Sequence, residues 1–236
     1  MRTIAILPVK SFGAAKQRLS DVLGAGSRQA LAQAMFADVL GSLGRVAGIE
    51  RTVVVTSDHL AEELALARRT QVLRDSAESG QSAATTMGIG HAIEAGYERV
   101  LLVPGDTPLL DPTELQALLD RSEGQGAVIV PDRHASGTNA LLLAPPDAIA
   151  PSFGPDSLER HLAAAHASGL PHAVEELPSL GLDVDTPDDL SRLASSLDGC
   201  RGSAPMTRGA LRQLDRLHPH VRAAAPQPRP AVEASA

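Results

Sequence analysis

The chain contains 236 residues, 43% of them hydrophobic, and carries a formal net charge of −7. A chain of this length supports one large core, and its apolar runs are all shorter than the roughly 18 residues that span a bilayer, so a membrane protein is not expected. Because only 2% of the residues are aromatic and the net charge is negative, the positive field and stacking surfaces used to bind nucleic acid are not expected either.

Short apolar runs alternate with amphipathic stretches along residues 1–198. This pattern predicts an α/β fold in which helices flank a mostly parallel, mixed sheet. The first apolar run is short and is soon followed by cations, so we interpret it as a strand rather than a signal peptide and expect a cytoplasmic protein. Strands are predicted at residues 3–7, 52–56, 71–74, 100–104, 127–131 and 140–144. Helices are predicted at residues 28–44, 60–69, 82–95, 112–121, 155–167 and 187–197.

The segment 199–236 differs in composition from the rest of the chain. It has five prolines among Ala, Arg and Gln, and six arginines against two acids. We therefore predict one domain over residues 1–198 and a largely disordered tail, whose removal should cost little stability. Within the tail, Leu211, Leu214 and Leu217 have the spacing to line one side of a short helix.

Cysteine and histidine do not indicate a metal site. Cys200 is the only cysteine, which excludes an internal disulfide and a cysteine-based zinc site. The eight histidines show no ligand spacing, and His161 and His166 are five residues apart, which places them on different sides of a helix. We expect the histidines to be polar surface residues.

A basic loop follows the first predicted strand and contains Lys10, Lys16 and Arg18. In an open parallel sheet, ligands bind beyond the carboxyl ends of the strands, where this loop begins. Small residues at positions 13–15 let backbone N–H groups approach an anion, and the cations neutralise phosphate oxygens. The loop is predicted to bind phosphate groups; the alternative is a solvated basic loop.

Carboxylates follow two further segments. Asp106 lies in a Pro-Gly-Asp-Thr-Pro turn just past a buried strand, and Asp183 and Asp185 alternate in an extended segment, so they share one face. Carboxylate oxygens are ligands that Mg²⁺ prefers, and such a metal bridges them to substrate phosphates. The three residues are predicted metal ligands, for Mg²⁺ or Mn²⁺. The alternative for Asp185 or Thr186 is that it only caps the following helix.

Together, the Pro-Val-Lys…Ala-Lys-Gln-Arg-Leu start, the Pro-Gly-Asp-Thr-Pro turn and the Leu-Asp-Val-Asp-Thr-Pro end resemble the CofC/FbiD guanylyltransferases of deazaflavin coenzyme biosynthesis. The resemblance runs from about residue 2 to residue 197 and implies a nucleotidyltransferase with a GT-A-like, Rossmann-like fold. It implies that Asp106, Lys16 and Arg18 are catalytic. The nucleotide-binding residues that it implies are Pro8, Lys10, Lys16, Arg18, Gly80, Gln81 and Ser82.

The resemblance also maps an acceptor site onto Thr138, Gly154 and Ser157. The residues themselves agree, because 153–157 opens a helix whose free N–H groups suit an anion; ordinary cap and turn residues are the alternative. The chain departs from the family after Asp75, where Ser79-Gly80-Gln81-Ser82 replaces a Gly-Leu-Asn run. Gln81 or Ser82 would then supply the hydrogen bonds of the missing asparagine.

The reaction implied is transfer of GMP from GTP to a small phosphorylated acid, with phosphoenolpyruvate favoured over 2-phospho-L-lactate and 3-phospho-D-glycerate. A molybdopterin-type nucleotidyltransferase of the same fold and a non-catalytic nucleotide-binding protein are the alternatives. Implied partners are a downstream transferase that accepts the product and a second copy of the chain in a homodimer.

Overall fold

The computed structural model describes residues 1–75, 80–199 and 202–217. Over these residues it contains a seven-stranded sheet in the order β3-β2-β1-β4-β6-β5-β7. The strands are β1 (Thr3–Val9), β2 (Arg51–Thr56), β3 (Gln71–Arg74), β4 (Arg99–Leu102), β5 (Ala127–Pro131), β6 (Thr138–Leu143) and β7 (His172–Val174). Because β6 is antiparallel to both β4 and β5 while all other neighbours are parallel, the predicted mixed sheet is confirmed.

Seven helices accompany the sheet in the described part of the chain. They are α1 (Ala25–Leu43), α2 (His59–Ala67), α3 (Gln81–Glu94), α4 (Pro112–Arg121), α5 (Ser157–Ser168), α6 (Pro187–Gly199) and α7 (Pro205–Leu217). The six predicted helices are present, α4 with the predicted bounds and the others with shifted ends. The strand β7 was not predicted, and for α7 the sequence indicated only a short helix within a disordered tail. Although α1 has 19 residues, no helix in the described ranges combines the length and apolar character that a bilayer span requires.

Both faces of the sheet are covered, as the continuous apolar strands predict. On β1, Ala5 and Leu7 pack with α1, α2 and α4, whereas Ile4 and Ile6 pack with α3 on the opposite face. The approach of α3 is close enough to require glycine, since a Cβ at Gly88 would lie 2.5 Å from the side chain of Ile6. The two-faced burial fixes β1 at the centre of the sheet.

A third layer covers the outer side of α1 and is formed by α6 and α7. Leu214 of α7 is buried in a cluster with Leu31 and Met35 of α1 and Leu193 of α6. The carboxylate of Asp38, on α1, accepts hydrogen bonds from the first free N–H groups of α7, at Met206 and Thr207. The prediction of a largely disordered tail is therefore wrong for residues 205–217, because tertiary packing and an external cap stabilise this helix.

The remainder of the predicted tail, residues 200–201 and 218–236, lies outside the described residues, as does the side chain of Leu217. Of the leucine stripe predicted there, Leu211 is partly buried and Leu214 is buried against the body.

Five of the strands begin or end at the same edge of the sheet. The carboxyl ends of β1, β2, β3 and β4 meet there, and the antiparallel direction of β6 brings its first residue, Thr138, to the same edge. The extended segment before α6 joins this edge through a hydrogen bond from Val184 N–H to the carbonyl of Asp106, 3.3 Å long. Residues from the beginning, middle and end of the chain thus meet in one place.

The packing of α7 predicts that Leu214→Ala lowers the free energy of unfolding by about 2–3 kcal/mol, because it leaves a cavity beside α1. Gln213→Ala, at an exposed position of the same helix, is the matched control and should change little. Denaturant unfolding followed by circular dichroism measures both. Equal unfolding midpoints for wild type and Leu214→Ala would show that α7 does not dock in solution.

Candidate active site

A cleft of about 580 Å³ opens at the edge where the strands meet. Its walls come from the loops after β1, β2, β3 and β4, from the start of α3, and from the segment before α6. The cleft lies at the point where the strand order turns, since the chain builds outward from β1 to β2 and β3 and then returns to add β4 on the other side. Such a position is where open α/β sheets bind ligands.

Most of the predicted nucleotide-site residues line this cleft. Those that do are Pro8, Lys10, Lys16, Gly80, Gln81, Asp106 and Asp185. Arg18 is exposed in the turn after Lys16, and neither it nor Ser82 is part of the described cleft wall. Of the run Ser79-Gly80-Gln81-Ser82, which departs from the family pattern, Ser79 lies outside the described residues.

Lys16 occupies the centre of the cleft floor. Its ammonium group contacts the carboxylate of Asp106 and lies 2.9 Å from Oδ1 of Asp185, while only 6% of its side chain is exposed. Burial by itself would lower the pKa of Lys16, but the two carboxylates outweigh it and raise the pKa above its ordinary value. Lys16 therefore remains charged and joins loops that are far apart in the sequence.

The loop that carries Lys16 is held in a fixed shape. It forms two single 3-10 turns, Phe12–Ala14 and Gln17–Leu19, and Lys16 between them has φ of 57°, in the left-handed region that non-glycine residues rarely occupy. The N–H of Phe12 donates to Asp58, whose other oxygen caps α2. The Phe12 ring also packs on Phe36 of α1, with ring centroids 5.6 Å apart. These contacts aim the lysine into the cleft.

In the segment before α6, Asp185 can face the cleft because it is not needed to cap the helix. Thr186 and Asp189 cap α6 reciprocally: the Asp189 carboxylate accepts from the N–H groups of Asp185 and Thr186, and the Thr186 hydroxyl accepts from Asp189 N–H. Asp185 is thereby free to face Lys16. Of the two capping alternatives, Thr186 is the cap, and Asp185 is not.

The three predicted metal ligands are close together, but they do not form a complete metal-binding cluster. Among the described residues, no group of three His, Cys, Asp or Glu side chains has an arrangement suited to a metal ion. Lys16 lies between Asp106 and Asp185, and Asp183 accepts a hydrogen bond from Asn139 at 3.3 Å. The predicted metal site stays a prediction.

Two observations on these carboxylates are compatible with a divalent cation. Oδ1 of Asp106 is buried and has no hydrogen-bond partner among the residues that the structure describes. Burial, and then the nearby charge of Asp106, raises the pKa of Asp183 to about 6, so a cation nearby would favour its ionised form. The oxygen ligands present suit Mg²⁺, and the orphaned oxygen of Asp106 is the atom that would gain most from it.

The structure brings the predicted acceptor residues together beside the cleft. The N–H of Thr138, at the start of β6, donates to the hydroxyl of Ser157, at the start of α5, at 2.9 Å. Gly154 lies in the loop just before α5 with φ of 114°, a conformation that side-chain-bearing residues rarely adopt. This loop reaches the nucleotide side, because Phe153 N–H donates to Ser82 Oγ at 3.2 Å.

Two polar residues of this region were missed by sequence analysis. Asn139 is buried next to Thr138 and connects β6 to Leu180 and Asp183. His161, expected at the surface, is instead fully buried and hydrogen-bonded to Thr138 and to the backbone of Ser152. Neither has a partner at a recognisable sequence spacing, so only the folded arrangement shows them.

The profile of the family described as "Guanylyl transferase CofC like" matches residues 3–215 of the chain. A phosphoenolpyruvate guanylyltransferase from Conexibacter woesei is 51% identical over 221 residues, covering 93% of this chain and 99% of the relative. A 2-phospho-L-lactate guanylyltransferase from Methanothermobacter thermautotrophicus is 33% identical, covering 82% of this chain and 84% of the relative. A 3-phospho-D-glycerate guanylyltransferase from Phenylobacterium zucineum is 36% identical, covering 84% of this chain and 92% of the relative.

Solved structures agree on the fold. A protein from Desulfovibrio desulfuricans G20 named a nucleotide-diphospho-sugar transferase superposes with a TM-score of 0.76 at 20% identity, covering 96% of this chain and 100% of its own. A 4-diphosphocytidyl-2C-methyl-D-erythritol synthase superposes with a TM-score of 0.60 at 17% identity. The superposition covers 84% of this chain and 98% of the synthase. The fold is thus of the GT-A-like nucleotidyltransferase kind.

The position of Lys16 predicts that Lys16→Met destabilises the protein by about 1–3 kcal/mol, because two carboxylates lose the cation between them. Magnesium ions should restore part of the loss, since they neutralise the same carboxylates. Thermal unfolding with and without magnesium measures both effects, and Lys10→Met, at an exposed position, is the control. A melting temperature of Lys16→Met that equals wild type, or that magnesium leaves unchanged, would contradict the prediction.

Proposed function

Because the chain belongs to the CofC-like guanylyl transferase family, we propose that it transfers GMP from GTP to phosphoenolpyruvate and releases pyrophosphate. The observation that carries the choice of acceptor is the relative with this activity in its name, which is 51% identical across nearly the whole of both chains. The relatives named for 2-phospho-L-lactate and 3-phospho-D-glycerate are less similar, at 33% and 36%. These two acids are the alternative acceptors.

The reaction needs no nucleophile from the protein. An oxygen of the acceptor phosphate, already ionised near neutral pH, attacks the α-phosphorus of GTP. The bond from the α-phosphorus to the oxygen that bridges to the β-phosphorus breaks, and its electron pair leaves with pyrophosphate. The product is enolpyruvyl-diphospho-guanosine, with one new diphosphate linkage. Catalysis then consists of positioning the two substrates and compensating the charge that moves to the leaving group.

The residues of the cleft suit these two tasks. Lys10 is exposed beside the cleft and Lys16 is fixed at its floor, so the triphosphate can be held between a mobile and a rigid cation. Arg18, on the adjacent turn, extends the positive region outward. Asp106 and Asp185 would hold a divalent metal such as Mg²⁺, which when bound neutralises charge on phosphate oxygens.

The acceptor site in this proposal consists of Thr138, Ser157 and the loop at Gly154. Two hydroxyl groups and backbone N–H groups of the loop would hold the anion. The guanidinium of Arg160, which binds this loop at Ser152 and Pro155, adds positive charge beside it. The hydrogen bond between Phe153 and Ser82 connects this loop to the nucleotide side of the cleft, so that the two substrates bind to adjoining surfaces.

We also propose a use for the product and an oligomeric state for the chain. The product would serve the biosynthesis of a deazaflavin coenzyme, by passing to a transferase that uses its activated diphosphate bond. A homodimer is the assembly that we propose for the chain.

Incubation of the protein with magnesium–GTP and each of the three acids in separate reactions tests the function. Mass spectrometry should detect the guanylylated acid and pyrophosphate, with the highest kcat/KM for phosphoenolpyruvate. Higher kcat/KM for another acid would replace the acceptor and keep the reaction class. GTP bound without a product from any acid would refute the reaction itself.

The cleft geometry predicts that Asp106→Asn retains the fold, because amide and carboxylate have the same shape, and loses most activity. The amide removes a charge that faces Lys16 and the proposed metal. Asp147→Asn is the matched control, since Asp147 is exposed beyond the carboxyl end of β6, at the opposite edge of the sheet. Activity is followed by pyrophosphate release. Near-normal turnover by Asp106→Asn at ordinary magnesium would remove this residue from the mechanism.

Thr138→Val and Ser157→Ala should raise the KM for phosphoenolpyruvate and leave the KM for GTP close to wild type. Loss of one hydrogen bond to a charged partner corresponds to roughly 1–3 kcal/mol. Thr113→Val, at an exposed position on α4, controls for the substitution type. Separate titrations of the two substrates distinguish the effects, and a rise in the KM for GTP alone would show that the acceptor site lies elsewhere.

A further inference from the structure

His161 lies on α5 and contacts Thr138, one of the three predicted acceptor residues, yet nothing in the mechanism above uses it. It is fully buried, its Nε2 lies 2.8 Å from the N–H of Ser152, and its Nδ1 lies 2.9 Å from the hydroxyl oxygen of Thr138. A buried imidazole with both nitrogens hydrogen-bonded is in a fixed orientation. It therefore connects the start of β6 to the loop that carries Gly154.

The contact with Ser152 determines which nitrogen carries the proton. A backbone N–H can only donate, so Nε2 of His161 must accept and cannot itself be protonated. The proton of the neutral ring is then on Nδ1, which donates to the hydroxyl oxygen of Thr138. Burial, and then the adjacent Arg160, lower the pKa of His161 to about 4, so that the ring is neutral near neutral pH.

The hydroxyl of Thr138 is left with its own hydrogen available. Its oxygen accepts from His161, and within the described part of the chain no group accepts from it. Ser157 is in the same situation, because its hydroxyl accepts from Thr138 N–H and has no acceptor of its own there. Both buried hydroxyl groups thus use their oxygens toward the protein, and their hydrogens have no acceptor among the described residues.

The same histidine also supports the loop around Gly154. The Phe153 ring packs edge-on against the imidazole with centroids 5.2 Å apart, next to the Ser152 that His161 binds. Arg160 holds the loop from the other side, through Nε to Ser152 Oγ at 2.8 Å and through hydrogen bonds to the carbonyls of Ser152 and Pro155. His161 therefore contacts both the Thr138 hydroxyl and the loop that Arg160 also holds.

We infer that His161 is a positioning residue for the acceptor, which turns the Thr138 hydroxyl into an obligatory donor toward an anionic oxygen and holds the Gly154 loop beside it. The inference rests on the proposed function, because it presumes that the acceptor acid binds at Thr138, Gly154 and Ser157. His161 does not touch the reacting atoms and takes no proton during the reaction. It acts on the acceptor through the Thr138 hydroxyl and through the loop at Ser152.

A double-mutant cycle tests this dependence. His161→Gln places an amide near the position of Nε2, so it can still accept from Ser152 but no longer donates to Thr138. We expect the KM for phosphoenolpyruvate to rise about tenfold, the change for one lost hydrogen bond, with the KM for GTP unchanged. Combined with Thr138→Val, His161→Gln should add little further loss, because both act on the same hydroxyl.

A purely structural role gives a different result. Losses that multiply in the double variant, or an equal rise in the KM for GTP, would overturn the inference. His166→Gln is the control on the same helix, since His166 is exposed and contacts only His172 at ring distance among the described residues. It should leave both KM values unchanged.

The protonation of the His161 ring can be measured on the wild-type protein, without an activity assay and without a variant. Nitrogen–proton correlation spectra of the wild-type protein with isotope-labelled histidine should show His161 protonated on Nδ1 alone near neutral pH. A proton on Nε2, or on both nitrogens, would overturn the inference even if the enzyme is fully active. If no acid is guanylylated, the proposed function fails and the inference falls with it, whereas a proton on Nε2 in a protein that guanylylates phosphoenolpyruvate overturns the inference alone.

Discussion

The buried ammonium group of Lys16 determines the arrangement of the site, because it joins three segments that come from the beginning, middle and end of the chain. Its contacts with Asp106 and Asp185 bring the loop after β1, the turn after β4 and the segment before α6 to one point. Two carboxylates this close would repel each other without a cation between them, and a lysine this buried would lose its charge without carboxylates. The lysine therefore offsets the repulsion between the carboxylates, and the carboxylates keep the buried lysine charged. The cleft lies where the three segments meet. The backbone at Lys16 is left-handed, so the residue that makes both contacts also holds a conformation that non-glycine residues rarely adopt.

Much of the fold follows from local sequence, and the exceptions have identifiable causes. Runs such as Val53-Val54-Val55 are apolar on both faces, which is typical of central strands, and β2 is found there. In contrast, β7 is only His172–Val174 at the sheet edge, with Val174 half-exposed, so it has neither the length nor the apolar pattern of a strand. The residues of α7 were assigned to a disordered tail on their composition, and composition does not show which surface a segment packs against. Its few apolar residues suffice only because α1 offers both a groove for Leu214 and the Asp38 carboxylate for its first N–H groups.

Some features of the site could likewise be predicted from the local sequence, whereas others depend on tertiary contacts. Charge contrast was enough to single out the basic loop, and alternation was enough to place Asp183 and Asp185 on one face. Sequence does not show which cation of the loop is buried: Lys16 is fixed between carboxylates, whereas Arg18, only two residues later, is exposed. Nor does it show that Asn139 contacts Asp183 or that His161 contacts Thr138, since neither pair has a recognisable sequence spacing. These contacts depend on β6 running antiparallel beside β4, which brings residue 138 to the same edge of the sheet as the cleft, and on α5 packing behind it.

The third layer has a consequence for how the protein responds to ligands. Leu182 and Val184 pack into the cluster formed by α1, α6 and α7, while the residues that alternate with them, Asp183 and Asp185, face the opposite way. The segment is thus shared between the hydrophobic layer and the cleft, and undocking of α7 would loosen both sides of it. By reciprocity, a nucleotide or cation that holds the carboxylates in place must stabilise the docked form of α7 by the same free energy. Amide hydrogen exchange in this distant helix should therefore slow when the cleft is filled, which makes the C-terminal helix a built-in reporter of occupancy.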